Sequence, residues 1–110
     1  MKQGEIWQVD LNPTKGSEQA GIRPVVIISG NLMNTYLNVV LACPLTTKIK
    51  NYKGNIVLIP SKLNGLKTES EILTFHIRSI SKERLLKKIG VIQSFELEQI
   101  HDCLNDILKM

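Results

Sequence analysis

Short apolar segments separated by turn signals constrain the fold of this chain more than any other feature. In residues 5–11, the apolar side chains of Trp7, Val9 and Leu11 alternate with polar ones, as in a half-buried strand. Residues 24–28 are continuously apolar and mostly β-branched, which is typical of a strand buried on both faces. Further strand-like segments, bounded by Gly, Pro and Asn, cover residues 39–45, 54–59, 71–80 and 87–92. Six or seven short strands without βαβ alternation predict a small barrel or a strongly curled sheet, not a parallel one.

Helical patterns are fewer. One long amphipathic helix is predicted to follow an N-cap at Ser94 and to cover the core with a stripe of apolar residues: Leu97, Ile100, Leu104, Ile107 and Leu108. Residues 82–86 suit one or two short helical turns after Ser81. Residues 30–38, rich in Asn, predict a loop, and Pro44 predicts a sheet edge or a strand end.

Length and composition indicate a single domain over residues 1–110, with 43% apolar residues available for its core. No apolar run approaches the ~20 residues of a membrane span, and the first residues lack the apolar region of a signal peptide. We therefore expect a cytoplasmic protein that does not contact membranes. Cys43 and Cys103 are expected to be reduced, and no metal-ligand spacing is evident.

The charge is distributed unevenly along the chain. The net charge is +4, but residues 94–110 carry four acids against Lys109, so residues 1–93 carry +7. A cationic body favours a polyanionic partner. Because eleven of the fourteen cations are lysines, the arginines Arg23, Arg78 and Arg84 are the more informative candidates for gripping a phosphate.

Polar chemistry is concentrated in the loop that precedes the buried strand. Residues 12–23 contain Lys15, Ser17, Glu18, Gln19 and Arg23, held at one end by that strand. The motifs GxxxxGK[ST], GxGxxG, HExxH and GxSxG are absent from the sequence. Nucleotide hydrolysis, dinucleotide chemistry, zinc proteolysis and serine acyl transfer are therefore disfavoured.

Polar residues at strand ends suggest a second possibility. Arg23 begins one apolar strand and Thr46 ends another, so they would meet if the two strands pair antiparallel. His76 and Arg78 are predicted to point the same way from a later strand. Such groups could cleave RNA without a metal, through attack of the 2′-hydroxyl on the adjacent phosphorus. A structural histidine and a surface cation are the alternatives for His76 and Arg78.

Several segments of the chain resemble the PemK/MazF toxin family. The matching segments are residues 4–7, 10–21, 23–26, 43–47, 65–70, 76–80 and 82–85. The first three form a long and specific block, and the others are shorter. The resemblance runs from about Lys2 to Val91, and the C-terminal helix also fits.

This resemblance implies the toxin of a type II toxin–antitoxin system, with an SH3-like barrel of five to seven strands, short helices and a C-terminal helix. It would be a homodimeric, sequence-specific and metal-independent endoribonuclease that needs no cofactor. It would cut single-stranded mRNA, leaving 2′,3′-cyclic phosphate and 5′-hydroxyl ends. A cognate antitoxin of the MazE/PemI type, with an acidic flexible tail, would occupy the RNA groove.

The resemblance also implies site residues. Arg23 and Thr46 match the family's catalytic arginine and threonine. A guanidinium stays protonated at neutral pH, so Glu18 is kept either as the base or as the group that orients Arg23. A further set is assigned to substrate contact: Lys15, Ser17, Gln19, Thr47, His76 and Arg78. His76 stands where the family often has Gln, so it serves either base recognition or proton transfer.

Two other classes of function compete with the nuclease. A gyrase poison of the CcdB type on the same fold would need an aromatic residue near the C-terminal end, and the sequence has none there. A plain RNA-binding module would need aromatic stacking platforms, and the five aromatic residues are expected mostly at core positions. Residues 30–38, 48–53 and 61–70 are the loops expected to read bases.

Overall fold

The structure, a computed structural model, describes residues 1–12 and 21–109. The strands within these ranges are β1 (Glu5–Asp10), β2 (Ile22–Ile27), β3 (Val39–Thr46), β4 (Ile56–Leu58), β5 (Ser70–Ile72), β6 (Arg78–Ser81) and β7 (Leu85–Val91). The helices are α1 (Asn31–Tyr36) and α2 (Ser94–Lys109), with 3₁₀ turns at Thr74–His76 and Lys82–Arg84.

The strands form one curled sheet in which neighbouring strands run antiparallel. Their order is β4-β5-β3-β2-β1-β7, and β6 pairs with β3 off this path. On the side away from β2, β3 pairs with β6 along residues 39–42 and with β5 at Leu45 and Thr46. This arrangement confirms the predicted mainly β, barrel-like fold.

The core lies on both faces of β2. Val26 and Ile28 belong to a buried cluster that also contains Ile100 of α2. Val25 and Ile27 belong to a second buried cluster on the other face. The continuous apolar pattern therefore predicted correctly that this strand is buried on both faces, since all four residues from Val25 to Ile28 are removed from water.

Helix α2 covers the first of these clusters, as expected, but two details of its prediction are wrong. Ser94 is the first residue of the helix and not its cap; the backbone N–H of Gln93 instead donates to the Glu96 carboxylate at 2.8 Å. The apolar stripe also ends early, since Leu108 is 84% exposed.

Residues 30–38 are not a simple loop, because they contain α1. The Asn residues suggested a turn, yet the Asn34 side chain is buried. Its amide accepts from the Ser29 hydroxyl and donates to the Ser29 carbonyl oxygen. A buried tertiary contact thus overrides the local preference of Asn for turns.

The predicted strand over residues 71–80 is divided into β5, a 3₁₀ turn and β6. Pro44, expected at an edge or an end, lies inside β3 and pairs with Val25 of β2. Both differences have one cause: β3 changes its neighbour from β6 to β5 next to Pro44. Pro44 has no N–H to donate at this change, and its carbonyl accepts from Leu73 at 2.9 Å.

Among the described residues, none of the helices is long and apolar enough to cross a lipid bilayer.

Candidate active site

Strands β2 and β3 bring Arg23 close to Thr46. The observed register pairs Val25 with Pro44, and continuing it by two residues places Arg23 opposite Thr46. Both residues line one groove of about 390 Å³. The structure therefore supports the predicted meeting of these two strand ends.

Cations and aromatic rings complete the wall of this groove, which we call the arginine groove. Besides Arg23 and Thr46 it is lined by Lys48, Lys50, Tyr52, Leu73, Phe75 and His76. Positive charge and ring faces in one groove suit a ligand that carries phosphates and flat bases. The hydroxyl of Thr46 accepts from the backbone N–H of Lys48 at 3.1 Å, which leaves the hydroxyl hydrogen available to a ligand.

A buried carboxylate holds the loop that carries these lysines and Tyr52. Glu71 is fully buried in β5. Its Oε1 accepts from the backbone N–H groups of Lys50 at 2.8 Å and Asn51 at 3.1 Å, and its Oε2 accepts from that of Tyr52 at 2.9 Å. The Asn55 side-chain amide donates to Oε2 at 3.2 Å. Burial pushes the pKa of Glu71 upward, but these hydrogen bonds prevail and the pKa lies below its ordinary value.

The sequence did not point to Glu71. A charged residue between Ser70 and Ile72 in a short strand is usually solvent-exposed. The loop over residues 48–53, by contrast, was expected to read bases, and its residues Lys48, Lys50 and Tyr52 line the arginine groove.

His76 and Arg78 do not share a strand face, so that prediction is wrong. His76 ends the 3₁₀ turn Thr74–His76 and lines the arginine groove, whereas Arg78 begins β6 opposite Ala42. Within the described ranges, Nη1 of Arg78 is buried without a hydrogen-bond partner. The alternation of residues 71–80 gave no sign that a turn intervenes.

Thr47 does not line the arginine groove with Thr46, because β3 ends at Thr46 and the chain bends at Thr47. It lines a second groove of about 430 Å³, which we call the lysine groove, together with Gln8, Lys67, Thr68, Ser70, Lys87 and Lys88. Lys88 forms an ion pair with Glu5 at 3.1 Å. At Gly65, in the loop lining this groove, an added Cβ would lie 2.3 Å from the carbonyl oxygen of Ile89, so the close packing of loop and β7 requires glycine.

Four candidate residues of the polar loop, Lys15, Ser17, Glu18 and Gln19, lie outside the described residues. Their assigned roles stay predictions.

Cys43 and Cys103 are both buried and unpaired. Burial, together with the nearby Cys103, raises the pKa of Cys43 to about 12, so its thiol stays protonated. Within residues 1–12 and 21–109, no group of three or more His, Cys, Asp or Glu side chains is placed to hold a metal ion.

The aromatic residues differ most from expectation. They were expected mostly in the core, but Tyr36, Tyr52, Phe75 and Phe95 are between 44% and 77% exposed. Tyr52 and Phe75 contact each other edge to face, with ring centroids 5.0 Å apart, and the rings of Phe75 and His76 are 4.7 Å apart. Their clustering beside Arg23 could not be read from the sequence, since twenty-two intervening residues separate Tyr52 from Phe75.

Comparison with known proteins places the chain in a defined class. A model of the PemK-like, MazF-like toxins of type II toxin–antitoxin systems matches residues 2–108. The chain belongs to this family. One relative, endoribonuclease MazF9 of Mycobacterium tuberculosis, is 37% identical over 109 residues, covering 94% of this chain and 92% of the relative.

Solved structures show the same fold. MazF from Deinococcus radiodurans superposes with a TM-score of 0.86 at 25% identity, covering 100% of this chain and 97% of that one. An endoribonuclease from a mycobacterial species, solved in complex with its cognate antitoxin, has a TM-score of 0.81 at 22% identity. The superposition with this endoribonuclease covers 100% of the present chain and 96% of the endoribonuclease chain.

Proposed function

We propose that this chain, as one domain over residues 1–110, is the toxin of a type II toxin–antitoxin system and cleaves single-stranded mRNA. The observation that carries the proposal is the placement of Arg23 and Thr46 in one cationic groove. Membership of the toxin family and the endoribonuclease name of a relative at 37% identity support the same activity.

The proposed reaction is an internal transesterification. A base takes the proton of the 2′-hydroxyl, whose oxygen then bonds to the adjacent phosphorus as the bond from phosphorus to the 5′-oxygen breaks. An acid protonates the departing 5′-oxygen, so the products are a 2′,3′-cyclic phosphate and a 5′-hydroxyl. This route needs no metal ion, provided that cations stabilise the charge on the phosphoryl oxygens.

Arg23 is the cation proposed for that role, because a guanidinium can donate to two phosphoryl oxygens at once. Thr46 would donate its hydroxyl hydrogen to the same phosphate, with Lys48 N–H holding the oxygen in place. His76 lines the groove and carries an imidazole able to give or take a proton. Glu18 stays the alternative base, or the group that orients Arg23.

The proposed partners follow from the family and the charge. An antitoxin with an acidic, flexible tail would compete with RNA for the cationic grooves, and the chain would act as a homodimer in the cytoplasm, where mRNA is available. Of the remaining candidates for substrate contact, Thr47 lies in the lysine groove and Arg78 in β6. Lys15, Ser17 and Gln19 are proposed to contact RNA from the polar loop.

The test is cleavage of a long single-stranded RNA by the pure protein in EDTA, with the new 5′ ends mapped. We expect discrete cuts at one short motif. Loss of the phosphate contact in Arg23→Ala should lower the rate by about 100- to 1000-fold. Arg23→Lys keeps the charge but loses the bidentate geometry, so an intermediate rate is expected.

Lys2→Ala is the matched control, because it removes an exposed cation outside both grooves and outside the loops expected to read bases. Circular dichroism confirms that each variant is folded. Uncut RNA with the wild-type protein, or equal cutting by wild type and folded Arg23→Ala, would contradict the proposal.

A further inference from the structure

We propose that Tyr52, Phe75 and His76 form a stacking subsite for one nucleobase of a single-stranded RNA, beside Arg23 and Thr46. This inference rests on the proposed function and names a contact of the same site. We call the three side chains the ring cluster.

Exposure is the first argument. Tyr52 is 44% exposed and Phe75 46% exposed, although both are large apolar rings in mutual contact. Adjacent rings left open to water on one wall of a groove commonly mark a binding surface. The ring cluster has such a position, since all three of its residues line the arginine groove.

The geometry of the rings is the second argument. The planes of Tyr52 and Phe75 meet at 77°, and those of Phe75 and His76 at 47°. Neither contact is a parallel stack, so ring surface stays available to a flat partner. A base can lie against it with the offset or edge-to-face contacts that aromatic groups prefer.

Charge identifies the class of ligand. Lys48 and Lys50 line the same groove as the ring cluster, together with Arg23. A ligand that satisfies both the cations and the rings must combine a phosphate with a flat, largely apolar ring, as a nucleotide does. In a duplex the bases are stacked on each other, so the ring cluster selects single strands.

A single hydrogen-bond network holds both segments that carry these rings. The Glu71 carboxylate accepts from the Tyr52 N–H at 2.9 Å and from the Asn55 side chain at 3.2 Å. The Asn55 side-chain oxygen in turn accepts from the Thr74 hydroxyl at 2.6 Å, one residue before Phe75. The ring cluster is thus preorganised before RNA binds, which lowers the entropic cost of binding.

The test measures binding to a short RNA whose nucleotide at the mapped cleavage position is a 2′-deoxynucleotide, which removes the attacking hydroxyl. Phe75→Leu keeps an apolar side chain but removes the ring. One lost stacking contact should weaken binding about 5- to 100-fold. Phe75→Tyr restores a ring and should bind almost as the wild type does.

Phe95→Leu is the matched control, since Phe95 is also an exposed phenylalanine but lies in α2, outside the arginine groove. We expect it to bind RNA as the wild type does. Equal weakening by Phe75→Leu and Phe95→Leu, or wild-type binding by folded Phe75→Leu, would overturn the inference.

An abasic scan shows whether stacking is the cause. The bases of the RNA are removed one at a time, leaving the backbone intact. Removal of the stacked base should weaken binding to the wild type but cause no further loss with Phe75→Leu. If the loss of affinity from base removal is as large with Phe75→Leu as with the wild type at every position, Phe75 stacks on no base and the inference is overturned.

Failure of this inference can be told from failure of the proposed function. If Phe75→Leu binds and cuts RNA like the wild type, the stacking subsite is wrong and the nuclease stands. If the wild type leaves all-ribose RNA uncut, the nuclease is wrong. In that case, the same variants and the abasic scan can be applied to any single-stranded RNA that the protein binds. They then show whether the stacking subsite exists. Absence of RNA binding by the wild type overturns both.

Discussion

We propose two roles for the Thr46 hydroxyl at the end of β3. It accepts from the Lys48 N–H, which fixes its position, and it retains a hydrogen for a phosphate oxygen. Thr46 is 8% exposed, so its side chain has little freedom to reorient. The effect of a substitution at Thr46 on cleavage can therefore be measured separately from its effect on stability.

Thr46→Val keeps the size of the side chain and removes the hydroxyl. We expect cleavage to slow by about 100-fold, because a donor to the phosphate is lost. The unfolding free energy should change by about 1 kcal/mol or less, since water can replace the acceptor for the exposed Lys48. Single-turnover cleavage and urea denaturation measure the two effects. Thr46→Ser, which keeps the hydroxyl, should cleave almost normally; a Thr46→Ser variant as slow as Thr46→Val would exclude this role.

At the scale of residues, the sequence predicts contacts that depend on neighbouring strands and misses those that depend on burial. Arg23 and Thr46 could be paired because antiparallel strands bring their ends together. Glu71 could not be recognised, because its burial is explained only by donors from another loop, some twenty residues earlier in the chain. The separation of His76 from Arg78 could not be recognised either, since the 3₁₀ turn that contains His76 follows from the pairing of β3 with both β5 and β6.

At the scale of elements, the loop between β3 and β4 depends on a side chain of β5. Its backbone N–H groups from Lys50 to Tyr52 have a charged acceptor in Glu71 in place of water. Charge-assisted hydrogen bonds of this kind are stronger than neutral ones. The loop that lines the arginine groove should therefore be firmly held at neutral pH and loosen when Glu71 is protonated.

The pH dependence of stability tests this view. The pKa of Glu71 is lower in the folded than in the unfolded chain, so its stabilisation is present above the unfolded pKa and is lost as pH falls through the folded pKa. Glu71→Gln should cost about 2 kcal/mol at pH 7, because an amide group replaces one accepting oxygen.

Urea denaturation at several pH values measures this difference between wild type and Glu71→Gln. Because Glu5 also has a lowered pKa, the wild type alone would not isolate Glu71. The difference should shrink as the pH falls below the ordinary pKa of a glutamate. A difference that stays constant with pH would mean that the carboxylate charge does not hold the loop.

Element boundaries were predictable to within a few residues where an element keeps the same neighbours along its length, as β2 does between β1 and β3. They were not where a strand exchanges neighbours. Residues 71–80 alternate well enough for a single strand, but pairing with β3 on both sides of Pro44 requires a turn between Ile72 and Arg78. Alternation of apolar and polar residues specifies which face of a strand is buried, but it does not specify which strand pairs with it.

At the scale of the whole molecule, the two cationic grooves account for the +7 charge of residues 1–93 better than solubility alone does. The lysine groove presents Lys67 and Lys87 as exposed cations. Lysines in such a groove bind the phosphates of a single strand and release their counterions. Salt dependence should then report how many of them contact RNA.

The double variant Lys67→Gln/Lys87→Gln should flatten the dependence of log K on log salt concentration by about 1.4, or 0.7 for each phosphate contact on a single strand. Fluorescence anisotropy with a non-cleavable RNA, over a series of salt concentrations, measures the slope. Lys2→Gln/Lys109→Gln removes the same charge outside both grooves and should leave the slope unchanged. Equal slopes for the two double variants would place the RNA away from the lysine groove.

The pairing of the first strand with the last means that the sheet can be completed only late in synthesis. Every described residue of the arginine groove has been translated once His76 is added, but β1 gains its second neighbour only when β7, ending at Val91, has followed. A partly made chain thus carries the groove residues on an open sheet. We expect cleavage activity to arise only after β7 has paired with β1, so that a partly made chain would spare the mRNA from which it is translated.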